Sequence, residues 1–270
     1  MHKLSLKSSK EELAADSSFC EDVNINEKDE SKLKENPFSL ILPRSVSHYH
    51  GTNNPKESSY ELLQSGMILL KNYLTISHQV EIVKICEELG GFYQPGYKSR
   101  GKDKLHMMCL GRRWDPQTQY NNDKTDAVPM IPDKLVSFVK MALKDSQALI
   151  NSEDELPSMS PDICIVNFYS TAGGLGLHQD RDESIDSLSR GLPVVSISIG
   201  DAAEFLYGDK GAVKKAKKMV LKSGDVLIFG GKSRLVFHGV KSVIPSSAPL
   251  ALLKETMLRP GRLNLTFRQF

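Results

Sequence analysis

The first half of the chain contains two segments whose apolar residues recur every three or four positions. Residues 76–89 follow this spacing and predict a helix, with a short strand over residues 67–70 before it. A second helix is predicted from Pro132, a residue suited to a first helical turn, to about Asn151. Its predicted buried face consists of Leu135, Phe138, Val139, Ala142 and Leu149.

From Asp162 onward the pattern changes to short apolar runs separated by glycine-rich turns. Many short strands at such spacing are typical of a β-sandwich or a β-barrel. The predicted strands cover residues 163–169, 193–199, 204–207, 219–221, 226–229, 234–240 and 263–268. The body of the protein is therefore predicted to be helices followed by a compact β unit.

Residues 1–60 are rich in Asp, Glu, Lys, Ser and Asn, and their hydrophobic residues are isolated. Such a segment buries too little apolar area to offset the entropy lost on ordering, so it is predicted to be a disordered tail. An interaction motif around residues 37–42 is the alternative for part of it. The folded domain is predicted to span residues 61–270.

Composition narrows the class of protein without naming a function. The chain has 270 residues, of which 40% are hydrophobic and 25% charged, as expected for a globular domain with a real core. No apolar run approaches the roughly 20 residues that cross a bilayer, so a membrane enzyme is not expected. The four cysteines are widely spaced without a C-x-x-C pair, which favours a reducing compartment, the nucleus or the cytoplasm.

A glycine-rich segment ends in His178 and Asp180, which form an H-x-D pair. If His178 begins a strand or lies beside one, residues i and i+2 project to the same side and can bind one cation. His238, in a predicted strand, is the best candidate for a third ligand. Two histidines and one carboxylate form the facial triad of non-haem Fe(II) oxygenases, which leaves coordination positions open for reactants.

The last predicted strand alternates polar and apolar residues. Arg262, Asn264, Thr266 and Arg268 share one face, and leucines and a phenylalanine share the other. Two guanidiniums on an inward face would bind a dicarboxylate, because Arg stays charged when buried and pairs with carboxylates bidentately. An edge strand with a solvated polar face is the alternative.

The strand over residues 163–169 alternates in the same way. Asn167 and Tyr169 fall on one face, where they could donate hydrogen bonds to the same small acid. Two strands with polar residues on their inward faces indicate a barrel that contains a ligand.

Taken together, these motifs resemble the AlkB family of Fe(II)- and 2-oxoglutarate-dependent dioxygenases. The matching segments occur in family order: residues 167–169 (NFY), 178–183 (HQDRDE), 223–226 (SGDV), 230–234 (GGKSR), 238–239 (HG) and 262–268 (RLNLTFR). The last motif is the most specific of them. The resemblance covers about residues 66–270 and implies an α+β fold, a double-stranded β-helix (jelly roll) with helices packed on one sheet.

The resemblance also implies a set of cofactors and roles. His178, Asp180 and His238 would bind Fe(II), with 2-oxoglutarate and O₂ as the other reactants and no catalytic residue beyond the metal ligands. Arg262 would pair with the distal carboxylate of 2-oxoglutarate, and Arg268 would support its metal-bound end. Asn167, Tyr169 and Asn264 would complete this cosubstrate pocket.

The implied reaction is the oxidative demethylation of N-methylated bases in DNA or RNA, such as N1- or N6-methyladenine, as in DNA repair. The products would be formaldehyde, succinate and CO₂. Trp114 and Tyr120, in the region that forms a lid in the family, and Asp182 are the predicted substrate contacts. A Trp buried in a surface lid is the alternative for Trp114, and Asp182 could instead orient the metal loop.

The lysine-rich segment 214–218 suits a phosphate backbone, although lysines at hairpin tips also serve solubility alone. The expected partner is single-stranded nucleic acid or a flipped base, with no membrane and with the protein as a monomer. Two other functions stay open at this point: the same chemistry on a protein or lipid, and a catalytically silent nucleic-acid-binding module.

Overall fold

The computed structural model describes residues 59–90, 105–115, 119–120, 128–150 and 156–270. The predicted tail lies outside these residues except for its last two positions, which begin the first strand. The strands are β1 (Ser59–Gln64), β2 (Met67–Lys71), β3 (Leu105–Leu110), β4 (Trp114–Asp115), β5 (Gln119–Tyr120), β6 (Ile163–Tyr169), β7 (Leu175–His178), β8 (Val194–Gly200), β9 (Ala202–Gly208), β10 (Lys217–Leu221), β11 (Val226–Phe229), β12 (Phe237–Ile244) and β13 (Arg262–Arg268). The helices are α1 (Ile76–Glu88), α2 (Asp133–Leu149), α3 (Ile185–Ser189) and α4 (Leu250–Glu255).

Most of the strands form two antiparallel sheets. The large sheet has the order β1-β2-β11-β8-β13-β6-β3, and the small sheet has the order β10-β9-β12-β7. A separate pair, β4-β5, completes the described strands. None of the helices in these ranges is long and apolar enough to cross a membrane.

The two faces of the large sheet bury different partners, because successive side chains of a strand point to opposite sides. In β2, Ile68 and Leu70 join a core that also contains residues of α1 and α2. Met67 and Leu69, on the other face, join a second core with residues of the small sheet. The helices therefore pack on one face of the large sheet and the small sheet on the other, which confirms the predicted jelly roll.

Both long helices lie close to their predicted positions. The Thr75 hydroxyl caps α1 by accepting a hydrogen bond from the His78 amide at 3.2 Å. In α2, Pro132 precedes the first helical residue and is the N-cap. The prediction that Leu149 is buried is wrong: it is 37% exposed at the last helical position, and the final buried residue of α2 is Ser146, one turn earlier.

The predicted strand over residues 234–240 begins three residues too early. A short 3₁₀ turn, Gly231–Ser233, precedes Arg234, and the Val236 amide still donates to the Ser233 carbonyl at 3.0 Å. Strand β12 therefore starts at Phe237. This turn and the end of β7 meet at the same end of the small sheet, because His238 is the cross-strand partner of His178.

Candidate metal and cosubstrate site

Three side chains converge at the end of the small sheet where β7 stops and β12 starts. The Nε2 atom of His178 lies 3.8 Å from Oδ1 of Asp180, and Nε2 of His238 lies 3.7 Å from its Oδ2. One potential ligand atom from each of the three residues lies within 4.8 Å of the others. The three predicted metal ligands thus face a common point.

The H-x-D pair lies at the end of a strand, where the prediction had His178 at the start of a strand or beside one. His178 is the last residue of β7, and Asp180 lies in the loop that follows. Strand alternation therefore does not bring the pair together. The loop does so, and its Gln179 side chain is fixed by a hydrogen bond to the Leu235 carbonyl.

Both histidines have their rings oriented by main-chain carbonyls. Nδ1 of His178 lies 2.9 Å from the Gly176 carbonyl oxygen, and Nδ1 of His238 lies 3.1 Å from that of Val236. A carbonyl accepts from a protonated Nδ1, and this tautomer leaves the lone pair on Nε2, the atom that points toward Asp180. Such contacts set the tautomer and orientation of a metal ligand.

The electrostatics of the site favour the metal-binding protonation states. Burial, together with nearby His178, lowers the pKa of His238 to about 4, so this ring is neutral near pH 7. Burial by itself raises the pKa of Asp180. The Arg268 guanidinium, the two histidines and Arg234 outweigh burial and hold that pKa well below its usual range.

A buried ion network supports the loop that carries Asp180. Glu183 accepts from Arg234 at 2.7 Å through one carboxylate oxygen and from Arg268 at 2.6 Å through the other. Arg268 also lies 3.3 Å from Oδ1 of Asp180. The structure thus places Arg268, a predicted cosubstrate residue, against the metal ligand and Glu183.

Arg262 is a buried cation without a carboxylate partner among the described residues. It is 1% exposed, and its Nη2 donates to the Ser198 hydroxyl at 2.9 Å. Its Nε and Nη1 atoms are buried without any hydrogen-bond acceptor in the same part of the chain. Unpaired buried N–H groups of a guanidinium are costly, so this site is suited to an anion.

Tyr169 connects this cation to the metal ligands. Its ring centroid lies 5.5 Å from the Arg262 guanidinium, and the two residues are cross-strand partners. Burial raises the pKa of the Tyr169 phenol, Arg262 opposes this and Asp180 adds to it. Tyr169 is therefore electrostatically coupled to both halves of the site.

The two predicted asparagines lie opposite each other in the large sheet. Asn264 and Asn167 are cross-strand partners in β13 and β6. The Asn264 amide donates to the Ser196 hydroxyl at 2.8 Å and to the Ile197 carbonyl at 2.9 Å. Asn264 is thus tied to β8, whereas Asn167 is partly exposed on the same face.

The structure places the predicted substrate residues separately. Trp114 and Tyr120 are paired across β4 and β5, and their side chains are outside the described part of the chain. Asp182 is half-buried in the loop after Asp180. The lysine segment is divided: Lys214 and Lys215 lie in a 3₁₀ turn and the others begin β10, where a hairpin loop was predicted.

Comparison with known proteins agrees with this geometry. The family model of the 2OG-Fe(II) oxygenase superfamily matches residues 66–268. The chain belongs to this superfamily. Within it, the solved structure of OsALKBH1 is 52% identical, with a TM-score of 0.73, and the alignment covers 78% of this chain and all of that chain. This likeness makes the chain a member of the AlkB family.

Two curated relatives from Arabidopsis thaliana are similar over most of this AlkB-family chain. The DNA N(6)-methyladenine demethylase ALKBH1D is 58% identical over 226 residues, which are 79% of this chain and 51% of the relative. The DNA N(6)-methyladenine demethylase ALKBH1C is 56% identical over 253 residues, 87% of this chain and 54% of the relative. The chain thus spans about half the length of these relatives.

The superfamily is defined by Fe(II) and 2-oxoglutarate, and as oxygenases its members consume O₂. The residues of this AlkB-family chain fit both groups. Two imidazoles and a carboxylate form a donor set suited to Fe(II) with open positions. The unpaired Arg262 guanidinium provides the buried positive charge that a dicarboxylate such as 2-oxoglutarate requires.

Sequence reasoning missed two residues of this AlkB-family site. Arg234 was predicted to lie in a strand, and Glu183 belongs to a matching motif but had no predicted role. Both are almost fully buried, at 3% and 6% exposure. The sequence contained a signal for both residues, because each is a charged residue within an apolar or metal-binding segment. Charged residues are rarely buried unless they are paired.

Proposed function

We propose that the chain is an Fe(II)- and 2-oxoglutarate-dependent dioxygenase that removes the methyl group from N-methylated bases in DNA or RNA. N1- and N6-methyladenine are the expected bases, and formaldehyde, succinate and CO₂ the expected products. The observation that carries the proposal is the pairing of a metal-ligand triad with the unpaired buried Arg262, through Tyr169.

In this proposal Arg262 binds the distal carboxylate of 2-oxoglutarate. The free Nε–H and Nη1–H of Arg262 supply two donors, and its bond to Ser198 fixes the plane of the guanidinium. Tyr169, packed beside it, is positioned to donate a hydrogen bond from its phenol O–H to the same acid. Burial raises the pKa of this phenol and keeps it protonated. Asn167 faces the same side and completes the acid's hydrogen bonding.

The bound iron and 2-oxoglutarate supply the oxidation, in which O₂ converts the keto acid to succinate and CO₂ and the methyl group leaves as formaldehyde. The chain orients the ligands and excludes water. Phe205 and Phe229 pack on the His238 ring with centroid distances of 5.9 and 4.9 Å, so the inner side of the site is dry. The His178 side chain is 31% exposed and marks the open side, from which a base can enter.

The substrate class rests on different support. The relatives ALKBH1D and ALKBH1C are named as DNA N(6)-methyladenine demethylases, and they match over most of this chain. A methylated base must leave a stack to reach a metal held by the buried Asp180 and His238, so we propose single-stranded or flipped substrates. Asp182, half-buried two residues from Asp180, is positioned to contact the base, and Trp114 and Tyr120 are proposed to stack on it from the β4–β5 pair.

The test is reconstitution of the full chain with Fe(II) and 2-oxoglutarate without oxygen, followed by oxygen and methylated oligonucleotides. The panel contains N1-methyladenine and N6-methyladenine in single-stranded DNA, duplex DNA and RNA. Mass spectrometry reads methyl loss, and succinate is measured in the same samples. Loss of a methyl group that depends on both iron and 2-oxoglutarate is the expected result.

The other outcomes point to specific alternatives. Succinate without methyl loss from any oligonucleotide would keep the oxygenase and reject the nucleic-acid substrate, in favour of protein or lipid. No succinate from protein shown to contain iron would reject the enzyme and leave a binding module. Arg190→Lys is the control for variants of the site, because Arg190 forms an exposed pair with Asp186 outside the site. This variant is expected to behave as the wild type.

A further inference from the structure

One row of cross-strand partners crosses the whole small sheet and contains two metal ligands. His178 pairs with His238, His238 pairs with Tyr207, and Tyr207 pairs with Lys217. Neighbouring strands lie about 4.8 Å apart, so the backbone of Lys217 is about 10 Å from that of His238. That distance is comparable to the reach from a base to the phosphate of its own nucleotide.

Lys217 lies on the inner face of β10, the face that the metal ligands share. Strand alternation places it on the same side as Leu221, which belongs to the core between the sheets, and Met219, which packs against that core. Its Nζ lies 5.7 Å from the centroid of the Tyr207 ring. Tyr207 is buried and Lys217 is exposed, so the row leads from the metal ligands to solvent.

The surroundings of Lys217 are strongly basic. Residues 209–222 contain six lysines and one aspartate, a net charge of +5 within a chain whose total is +2. Lys214 and Lys215 directly precede β10 in a 3₁₀ turn. The loop is held close to β12, since a Cβ atom on Gly211 would lie 3.1 Å from the Phe237 ring.

Two acidic side chains near this edge are already paired with other lysines. Glu204 binds Lys241 at 2.7 Å, and Glu61, which influences Tyr207, binds Lys71 at 2.6 Å. Lys217 has no carboxylate within 4 Å among the described residues, nor do Lys214 and Lys215. Their charge therefore faces solvent at the β10 edge of the small sheet, two strands from His238.

We propose that Lys217, assisted by Lys214 and Lys215, binds the phosphodiester backbone of a single-stranded nucleic acid whose base lies at the metal site. The inference rests on the proposed function for the identity of the base, whereas the phosphate contact itself requires no methyl group. Lysine binds phosphate as a point charge and releases counterions, so this contact weakens with salt. Nucleic acid is preferred over an acidic protein because the row of cross-strand partners connects these lysines with the metal ligands, where the base is proposed to lie.

The neighbouring lysine provides a matched control. Lys218 carries the same charge one residue later but points to the opposite face, where it lowers the pKa of Glu204 after the larger effects of Lys241 and Ser242. The variants Lys217→Gln and Lys218→Gln therefore remove equal charge from the two faces of one strand. Both positions are exposed, so neither change removes core contacts.

The experiment measures binding of a fluorescent, unmethylated single-stranded DNA to the full chain loaded with Fe(II) and 2-oxoglutarate under nitrogen. Anisotropy is recorded between about 50 and 200 mM salt. We expect Lys217→Gln to weaken binding roughly fivefold and to reduce the slope of log affinity against log salt by about 0.7, the loss of one phosphate contact. Lys218→Gln is expected to change binding less than twofold.

Equal losses in the two variants would overturn the proposal, because they would reflect net charge alone. Binding of a poly-glutamate peptide as tight as that of the DNA, with the same dependence on Lys217, would also overturn it in favour of an acidic protein. This binding experiment tests the lysine contact independently of the proposed demethylase function. A wild-type chain that demethylates nothing would reject that function, while a selective effect of Lys217→Gln on DNA binding would still support this contact.

Discussion

The guanidinium of Arg234 donates to the main-chain carbonyl of Asp180. Its other terminal nitrogen donates to Glu183 at 2.7 Å, so Arg234 spans the loop that follows β7. Arg234 itself lies four residues before His238, in the turn that precedes β12. One side chain thus ties together the two segments that supply the metal ligands.

Arg234→Lys is expected to weaken metal binding, because a single ammonium cannot reach both the Asp180 carbonyl and Glu183 in the fork geometry of Arg. The positive charge is retained, so the buried Glu183 is not left without a counter-charge. Loss of a group that orients a ligand typically reduces metal affinity by roughly 10- to 100-fold. Calorimetric titration with Mn(II) under nitrogen measures this, with Arg190→Lys as the exposed control. Equal affinity in the two variants would contradict the role of Arg234.

Asp180→Ala is expected to abolish succinate production while the protein remains folded. The change removes a ligand and little core volume, and Arg268 keeps its 2.6 Å pair with Glu183. Circular dichroism checks the fold, and coupled 2-oxoglutarate turnover checks the activity. Undiminished succinate from a folded variant would exclude Asp180 as a ligand.

Arg262→Met is expected to weaken 2-oxoglutarate binding at least about 100-fold, since hydrogen bonds to a charged group each contribute roughly 1.5–3 kcal/mol. Without 2-oxoglutarate, the variant is expected to be as stable as the wild type or more stable. It removes a buried, unpaired cation and replaces it with an apolar chain of similar length.

Thermal unfolding with and without 2-oxoglutarate separates these two effects. The wild type should show a rise in Tm with the cosubstrate, and the variant should not. DNA affinity is expected to fall less than cosubstrate affinity. An unchanged rise in Tm in the variant would assign the dicarboxylate to another site.

The cysteines provide a prediction on pH. Burial raises the pKa of Cys86 to about 12, and burial also raises that of Cys164 well above its usual value. Because the thiolate is the nucleophile, iodoacetamide at pH 8 should modify neither residue in the native protein and both in urea. The folded state holds the Cys86 proton from pH 9 to about 12, so the free energy of unfolding should fall as pH rises through that range. Mass spectrometry of each cysteine tests the predicted alkylation pattern, and rapid native alkylation of Cys86 would contradict the prediction.

The shared face of the proposed cosubstrate residues was predictable because these residues alternate within single strands. In β13, Leu263, Leu265 and Phe267 enter the helix-side core, and Arg262 and Asn264 are buried on the other face, as predicted. The alternative of an edge strand is excluded, because β13 lies between β8 and β6. Alternation of side chains with a period of two can be read within one strand, without knowing which strands lie beside it.

The metal half was predictable in its residues but not in its geometry. Asp180 reaches His178 through a loop conformation, and Arg234 reaches Asp180 across 54 positions of sequence. Neither relationship produces a local period. Strand β3 and the short helix α4 were missed for a similar reason, since they pack against β6 and α1, which no short window contains.

The position of β13 in the large sheet also determines the order in which the protein can assemble. This strand follows the other strands of its sheet along the chain, yet it fills the gap between β8 and β6, which begin about 70 and 100 residues earlier. Until residues 262–268 insert, the sheet is divided into two incomplete parts and Arg262, the residue proposed to bind 2-oxoglutarate, is not in place. The proposed 2-oxoglutarate site is therefore complete only in the finished sheet, so 2-oxoglutarate cannot act as a template for the early stages of folding.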